Sequence, residues 1–229
     1  MFRPFDYPEI QELFHKLFIS LFSESGRGAL MIAVKHVDDT LKTLIEEVLP
    51  KDISKNIKDD LFKHMGPIGT VSARIKIAYA FRLIDKNLYY SLNALRNIRN
   101  DAAHQLGDYS LYTLNAKMKD VYKLGPSIPY HIKVISTEMM MQSKFEVLKG
   151  IFDEHQLNRD DQRTIVDDLL NNENAMESLE KQVPYWELIN GLCILCGYIV
   201  YHKQKISALT KNVTIWSDLL PSETENSSN

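Results

Sequence analysis

Cysteine is scarce in this sequence, which excludes a scaffold held together by disulfides. Only Cys193 and Cys196 occur among the 229 residues, and both lie within one apolar run. They form a C-x-x-C, but neither a second pair nor a neighbouring set of histidines completes a zinc site. A redox role would need a βαβ context, which is absent. We therefore predict two thiols in the core of a cytoplasmic protein that has no metal and no cofactor.

The sequence also lacks a segment suited to export or to crossing a membrane. Its first residues, MFRPFDYPEI, do not follow the charged, apolar and small-residue order of a signal peptide. The most apolar stretch, residues 188–201, is shorter than the roughly 20 residues that a membrane helix needs. It predicts a buried helix, and we expect no membrane partner.

An excess of positive charge is missing as well. The formal net charge is -3, whereas proteins that hold duplex DNA by many phosphate contacts usually present a basic face. The total therefore gives no indication of DNA binding. A local basic patch stays open, because a total carries no information about where the charges lie.

No stretch alternates apolar and polar residues for long enough to predict a β-strand. Apolar residues instead recur at spacings of three and four, in a chain with 45% hydrophobic and 25% charged residues. We predict an all-α fold, an up-and-down helical bundle with an additional helical segment packed on it. Residues 1–107 and 184–208 would form the bundle core, 108–183 a helical insertion, and 209–229 a polar C-terminal tail.

Periodicity and capping residues together predict eight or nine helices. They span residues 8–22, 27–49, 53–64, 71–83, 88–104, 111–122, 134–152, 160–170 and 184–206. The sequence GPIGT (66–70) predicts a tight turn, and NNEN (171–174) another. Alternatively, the GPIGT turn and the helices on either side of it, residues 53–83, would form a helix-turn-helix. Its long turn and largely apolar second helix argue against that motif.

The helix predicted over 88–104, LYYSLNALRNIRNDAAH, is the one that carries chemistry, and we take it as central to the fold. Asp85 is a suitable N-cap, and one face is apolar. Arg96, Asn100 and His104 repeat every four residues and form a polar stripe near its end. Such a cluster is costly to bury, so it faces water, is paired, or has a function.

Residues 23–104 resemble the mannitol operon repressor (MltR-like) family. The motifs that carry the resemblance are SGRGA, GPIG followed by SARI, AYAFRLID and LRNIRNDAAH, in this order. The apolar helix at 186–201 is similar to the family's closing helix, whereas the resemblance does not cover 107–182. It implies a small all-α bundle that regulates mannitol genes without an obvious DNA-binding motif of its own.

The same helix is similar to HEPN bundles, many of which are ribonucleases, through the pattern R-N-x-x-x-H at Arg99, Asn100 and His104. This resemblance implies metal-independent RNA cleavage. His104 would exchange protons, Arg99 would hold the phosphorane, Asn100 would orient either partner, and Arg96 would bind the RNA backbone. Arg99 and His104 lie roughly 140° apart around a helix, so we predict a homodimer that brings two helix ends together.

Besides non-catalytic binding of a nucleotide or RNA, two interpretations follow from this helix. The leading one is an HEPN-like ribonuclease of the toxin or defence type, with RNA as substrate and an antitoxin or other protein as partner. The alternative is a non-enzymatic regulator that acts through protein contacts. In that case Arg99 would pair with Asp101, Asp38 or Asp39, and His104 would cap its helix. Exposure of Arg99 and His104 in a shared cleft would favour the first interpretation.

Overall fold

The chain folds into α-helices without a β-strand over residues 3–22, 25–104 and 111–210, which are the residues that the computed structural model describes. The all-α prediction is therefore confirmed. Within these ranges, ten α-helices follow a short 3-10 turn at Pro4–Asp6: α1 Pro8–Phe22, α2 Gly26–Glu46, α3 Lys55–Phe62, α4 Val71–Ala80, α5 Lys86–His104, α6 Leu111–Met118, α7 Ile128–Glu154, α8 Arg159–Asn171, α9 Glu173–Glu180 and α10 Val183–Thr210. Nearly all of the predicted tail, 211–229, lies outside the described residues.

Side-chain caps determine where several of these helices begin. The Asp85 carboxylate accepts a hydrogen bond from the Leu88 backbone N–H at 2.8 Å, which confirms the predicted N-cap of α5. The Thr70 hydroxyl does the same for the Ala73 N–H at 3.1 Å and begins α4. Each bond satisfies a backbone donor that the first turn of a helix leaves without a partner.

The centre of the molecule is formed by α2 and α10 rather than by α5. Helix α2 packs against α1, α4, α5, α6 and α10, and α10 packs against α1, α2, α6 and α7. In the part of the chain that the structure describes, the extensive neighbours of α5 are α2, α4 and α6. Our view of 88–104 as the central helix was wrong, because a helix with a polar stripe keeps that stripe solvated only at an edge of the bundle.

The apolar run at 188–200 lies almost wholly in the core, as predicted. Cys193 and Cys196 are fully buried, and the Thr40 hydroxyl lies 3.7 Å from the Cys196 sulfur as a donor. Burial raises the pKa of Cys196 to about 12 and that of Cys193 further still. By length and composition, Glu173–Leu209 is apolar enough to span a membrane, but 78% of its most apolar window is buried. High hydropathy together with this extent of burial is typical of the core helix of a soluble protein.

The predicted insertion is helical, and its two halves pack differently. Helices α6 and α7 lie against α10, whereas α8 and α9 pack on each other and bury none of their residues. The turn predicted at 171–174 is wrong in part, because the Asn172 side chain caps the Ala175 N–H and α9 begins at Glu173. The boundaries at 107 and 183 stay predictions.

Candidate functional site

A groove of about 470 Å³ opens where α2, α4 and α5 meet beside the turn before α4. We call it the basic groove, because four basic side chains and only one carboxylate line it. The lining residues are Met31, Val34, Lys35 and Asp38 of α2, His64, Gly69 and Thr70 of the preceding loop and turn, Val71, Ser72 and Arg74 of α4, and Arg96, Arg99 and Asn100 of α5.

The turn 66–70 is positioned by two glycines that lie directly on the end of α3. A Cβ atom at Gly69 would stand 2.0 Å from the carbonyl oxygen of Lys63, and one at Gly66 would stand 2.2 Å from that of Asp60. Backbone atoms cannot move away as a flexible side chain can, so only glycine fits at these positions. The predicted tight turn is therefore present, and it holds His64 and Thr70 at the groove.

A buried ion pair joins three walls of the basic groove. Arg74 Nε and Nη2 donate to the two carboxylate oxygens of Asp38 at 2.7 and 2.6 Å, and Nη1 donates to the Ile68 carbonyl at 2.8 Å. Arg74 is only 7% exposed. The bidentate geometry links α4 to α2 and to the turn, so the charge of Arg74 is fully compensated within the fold.

Arg96 and Arg99 have only neutral partners in the part of the chain that the structure describes. Arg96 Nη1 donates to the Ser72 hydroxyl at 2.7 Å and Nη2 to the Asn97 side chain at 3.1 Å, while its Nε is buried without an acceptor there. Arg99 donates to the Asn100 side chain at 3.2 Å. No described carboxylate lies within ion-pair distance of either guanidinium, so the groove has an excess of positive charge.

The structure brings three of the four predicted site residues to one surface. Arg96, Arg99 and Asn100 line the basic groove, whereas His104 is exposed in the last turn of α5 and does not line it. His104 lies on the same stripe as Asn100, but one turn further toward the C-terminal end of α5, and its angle to Arg99 is wide. Within one chain, Arg99 and Asn100 do not share the groove with His104.

The ion pairs proposed for Arg99 in the structural alternative do not form with α2. Asp38 is bound by Arg74, and Asp39 is bound by Lys35 at 2.5 Å. Asp101 is not within ion-pair distance of Arg99 either. The guanidinium of Arg99 is therefore available at the half-exposed groove surface, which the structural alternative did not anticipate.

His64 is a groove residue that sequence reasoning missed. It follows α3 and lies 35 positions before Arg99 in the chain, so no spacing rule connects the two. The available signal was the adjacency of His64 to the GPIG turn, a motif of the family resemblance. Over the described ranges, no group of three or more His, Cys, Asp or Glu side chains is arranged to hold a metal ion.

Over the described residues, these features define an all-α protein with a basic groove at the edge of its bundle. A model of the mannitol repressor (MtlR) family matches residues 22–144, which is more than half of the chain. The protein belongs to this family. The match continues beyond His104, where the sequence resemblance ended, and it stops before α10, which we had included. No curated protein and no solved structure matches the chain.

Proposed function

We propose that this protein is a cytoplasmic, non-enzymatic transcriptional regulator that acts through contact with another protein. The observation that carries the proposal is the match to the mannitol repressor family, which extends from the end of α1 into α7. The basic groove lies entirely inside the matched region, so its residues belong to the part of the chain that defines the family.

Contact with protein rather than with DNA is supported by the state of α4, the candidate recognition helix. Ile75 and Ala78 are buried, and Arg74 is occupied by Asp38. A recognition helix needs several free polar side chains that reach base edges in the major groove. Lys76 is exposed on α4, but one lysine does not provide such a surface.

The regulatory role is tested by deleting the gene and measuring transcripts across the genome. We expect a small set of transcripts to change and to return when the wild-type gene is restored. The purified protein alone should not retard the affected promoter DNA at physiological salt, where nonspecific phosphate contacts are weak. An unchanged transcript set contradicts the regulatory role, and specific retardation by the protein alone contradicts the protein-contact mechanism.

Metal-independent ribonuclease activity is a second candidate. It is favoured by one observation: Arg96, Arg99 and Asn100 share a groove in which no described carboxylate neutralises the two arginines. In this proposal a homodimer places His104 of one copy beside Arg99 of the other, and RNA is the substrate. An antitoxin or another protein would then restrain the activity.

The ribonuclease candidate is tested with purified wild type, His104→Ala and His64→Ala, each incubated with RNA in EDTA. If wild type and His64→Ala degrade RNA and His104→Ala does not, the result would support His104 as the proton-transfer residue. The opposite pattern would move the proton-transfer role to His64. If the wild-type protein does not cleave RNA, the ribonuclease proposal is wrong. Equal growth of cells that express wild type or His104→Ala would agree with that result.

A further inference from the structure

We infer that the basic groove binds the phosphate group of a small organic molecule. The inference stands on the charges, donors and size of the groove, and it goes beyond the regulatory role without depending on it. The groove, which lies in the region that the family model matches, is thus assigned small organic phosphates as its ligand class.

The charge balance of the groove is the first argument. Of its four basic side chains, Arg74 is neutralised by Asp38 and Lys35 by Asp39. The charges of Arg96 and Arg99 are not neutralised, because the partners of these two side chains among the described residues are all uncharged. Two guanidinium groups at one partly desolvated surface repel each other, and an anion between them removes that repulsion. A phosphate dianion matches the two charges.

The hydrogen-bond donors at the groove are the second argument. Each Nη nitrogen of Arg96 carries two N–H groups and makes one bond within the fold, to Ser72 or to Asn97, so each has a further N–H to donate. The Ser72 hydroxyl accepts from Arg96, so its own hydrogen is left to donate outward. Helix α4 also begins here, with Val71 and Ser72 in its first turn, where backbone N–H groups favour an anion.

The size and lining of the groove point to a small molecule. Its volume of about 470 Å³ lies within the range of small-ligand sites, roughly 300–1,000 Å³, and exceeds what a bare phosphate fills. Met31, Val34 and Val71 provide an apolar wall beside the charged one. A phosphate held by Arg96 and Arg99 therefore leaves room for an attached organic group against these side chains.

Calorimetric titration of the full chain tests the inference with defined probes. The probes are sodium phosphate, glycerol 3-phosphate, glycerol, and a short single-stranded RNA that lacks terminal phosphates. We expect saturable binding of glycerol 3-phosphate at one site per chain, weaker binding of inorganic phosphate, and none of glycerol. Binding of the RNA but of neither small phosphate would assign the groove to a nucleic-acid backbone and overturn the small-molecule source.

Matched substitutions then locate the site. Arg96→Gln and Arg99→Gln should each weaken glycerol 3-phosphate binding about tenfold or more, because each removes a charge-assisted contact. Arg163→Gln, on α8 with a side chain 84% exposed, should bind as the wild type does. Arg96→Lys keeps the charge without the planar fork and should give an intermediate affinity.

Two results would overturn the inference. One is the absence of saturable binding of both phosphate probes up to about 10 mM, which corresponds to an affinity too weak for a specific site. The other is binding by Arg96→Gln and Arg99→Gln that equals the wild type. A circular dichroism melt of each variant shows whether it is folded. If Arg96→Gln is unfolded, the binding of Arg96→Lys is compared with that of the wild type instead.

Discussion

The two sides of α4 use arginine in opposite ways. On the side that faces α2, Arg74 is buried and bound bidentately by Asp38. On the side that faces α5, Arg96 reaches Ser72 and meets no described carboxylate, and Arg99 lies further along the same surface. One groove therefore contains an arginine that holds the fold together and two arginines whose charge is available to a ligand.

The difference follows from burial. An ion pair that loses one partner inside a protein leaves a charge without solvent or counterion, so the α2–α4 contact depends on both of its members. The α4–α5 contact is half exposed, and water can solvate an arginine there. Sequence alone does not separate these roles, since Arg74, Arg96 and Arg99 all lie on helices and each has apolar neighbours along the chain.

The largest expected effect is that of Asp38→Ala. This substitution leaves Arg74 buried without a counterion and should lower the free energy of unfolding by about 3–5 kcal/mol in urea denaturation. Asp39→Ala, at the neighbouring position of α2, removes an exposed pair with Lys35 and should cost about 0–1 kcal/mol. Equal losses for the two variants would contradict the contrast between buried and exposed pairs.

The next effect concerns the turn that Arg74 anchors. Gly69→Ala places a methyl group against the carbonyl oxygens of Lys63 and His64 and should destabilise the fold by about 2–3 kcal/mol. Gly150→Ala is the matched control, because Gly150 is at an exposed position of α7 and no atom outside its own stretch of helix lies within 4 Å of its Cβ position. It should stabilise the protein by about 0.5–1 kcal/mol, as measured by the same denaturation. A tolerated Gly69→Ala would show that the turn can shift.

A smaller loss is expected from Ser72→Ala on the opposite side of α4. It removes the acceptor of Arg96 Nη1 and should cost about 1 kcal/mol, since the guanidinium is partly solvated. Ser178→Ala, at an exposed position of α9, should change stability by only a few tenths of a kcal/mol in the same measurement. A loss for Ser72→Ala as large as that for Asp38→Ala would mean that both sides of α4 are equally buried.

The smallest effect is expected for Arg99→Gln. Its one described hydrogen bond is to the neighbouring Asn100, and removal of a positive charge relieves repulsion with Arg96, so stability should change by less than about 0.5 kcal/mol. Arg74→Gln is the comparison and should be far more damaging. A loss above about 1.5 kcal/mol at Arg99 in chemical denaturation would reveal a structural role and end the contrast.

Much of the fold could be predicted because helices are specified locally. The start and end of α1 agree with the prediction, Asp85 caps α5, and the apolar run at 188–200 is buried. The errors lie at helix ends and in one missed helix: α2 ends at Glu46 instead of residue 49, and no helix was predicted where α9 lies.

The candidate site was predictable only where its residues share one helix. Arg96, Arg99 and Asn100 lie together because helical spacing places them on one surface. His104 continues the stripe of Arg96 and Asn100, but it lies one turn beyond the part of α5 that the groove reaches. His64 and Ser72 come from other elements, and their approach to α5 depends on the two glycines of the turn and on the Arg74–Asp38 pair. Rules of helical spacing and capping do not predict those contacts, because they join residues that are far apart in the chain.

By itself, the sequence determined the all-α class, the helix-capping residues, the buried cysteines and the family, since each depends on residue type and short-range spacing. Tertiary structure alone decided that α2 and α10 form the centre and that Asp38 neutralises Arg74 rather than Arg99. These outcomes depend on contacts between residues far apart in the chain. The choice of partner for a buried charge is made by the packed fold, where desolvation penalises every unpaired arrangement.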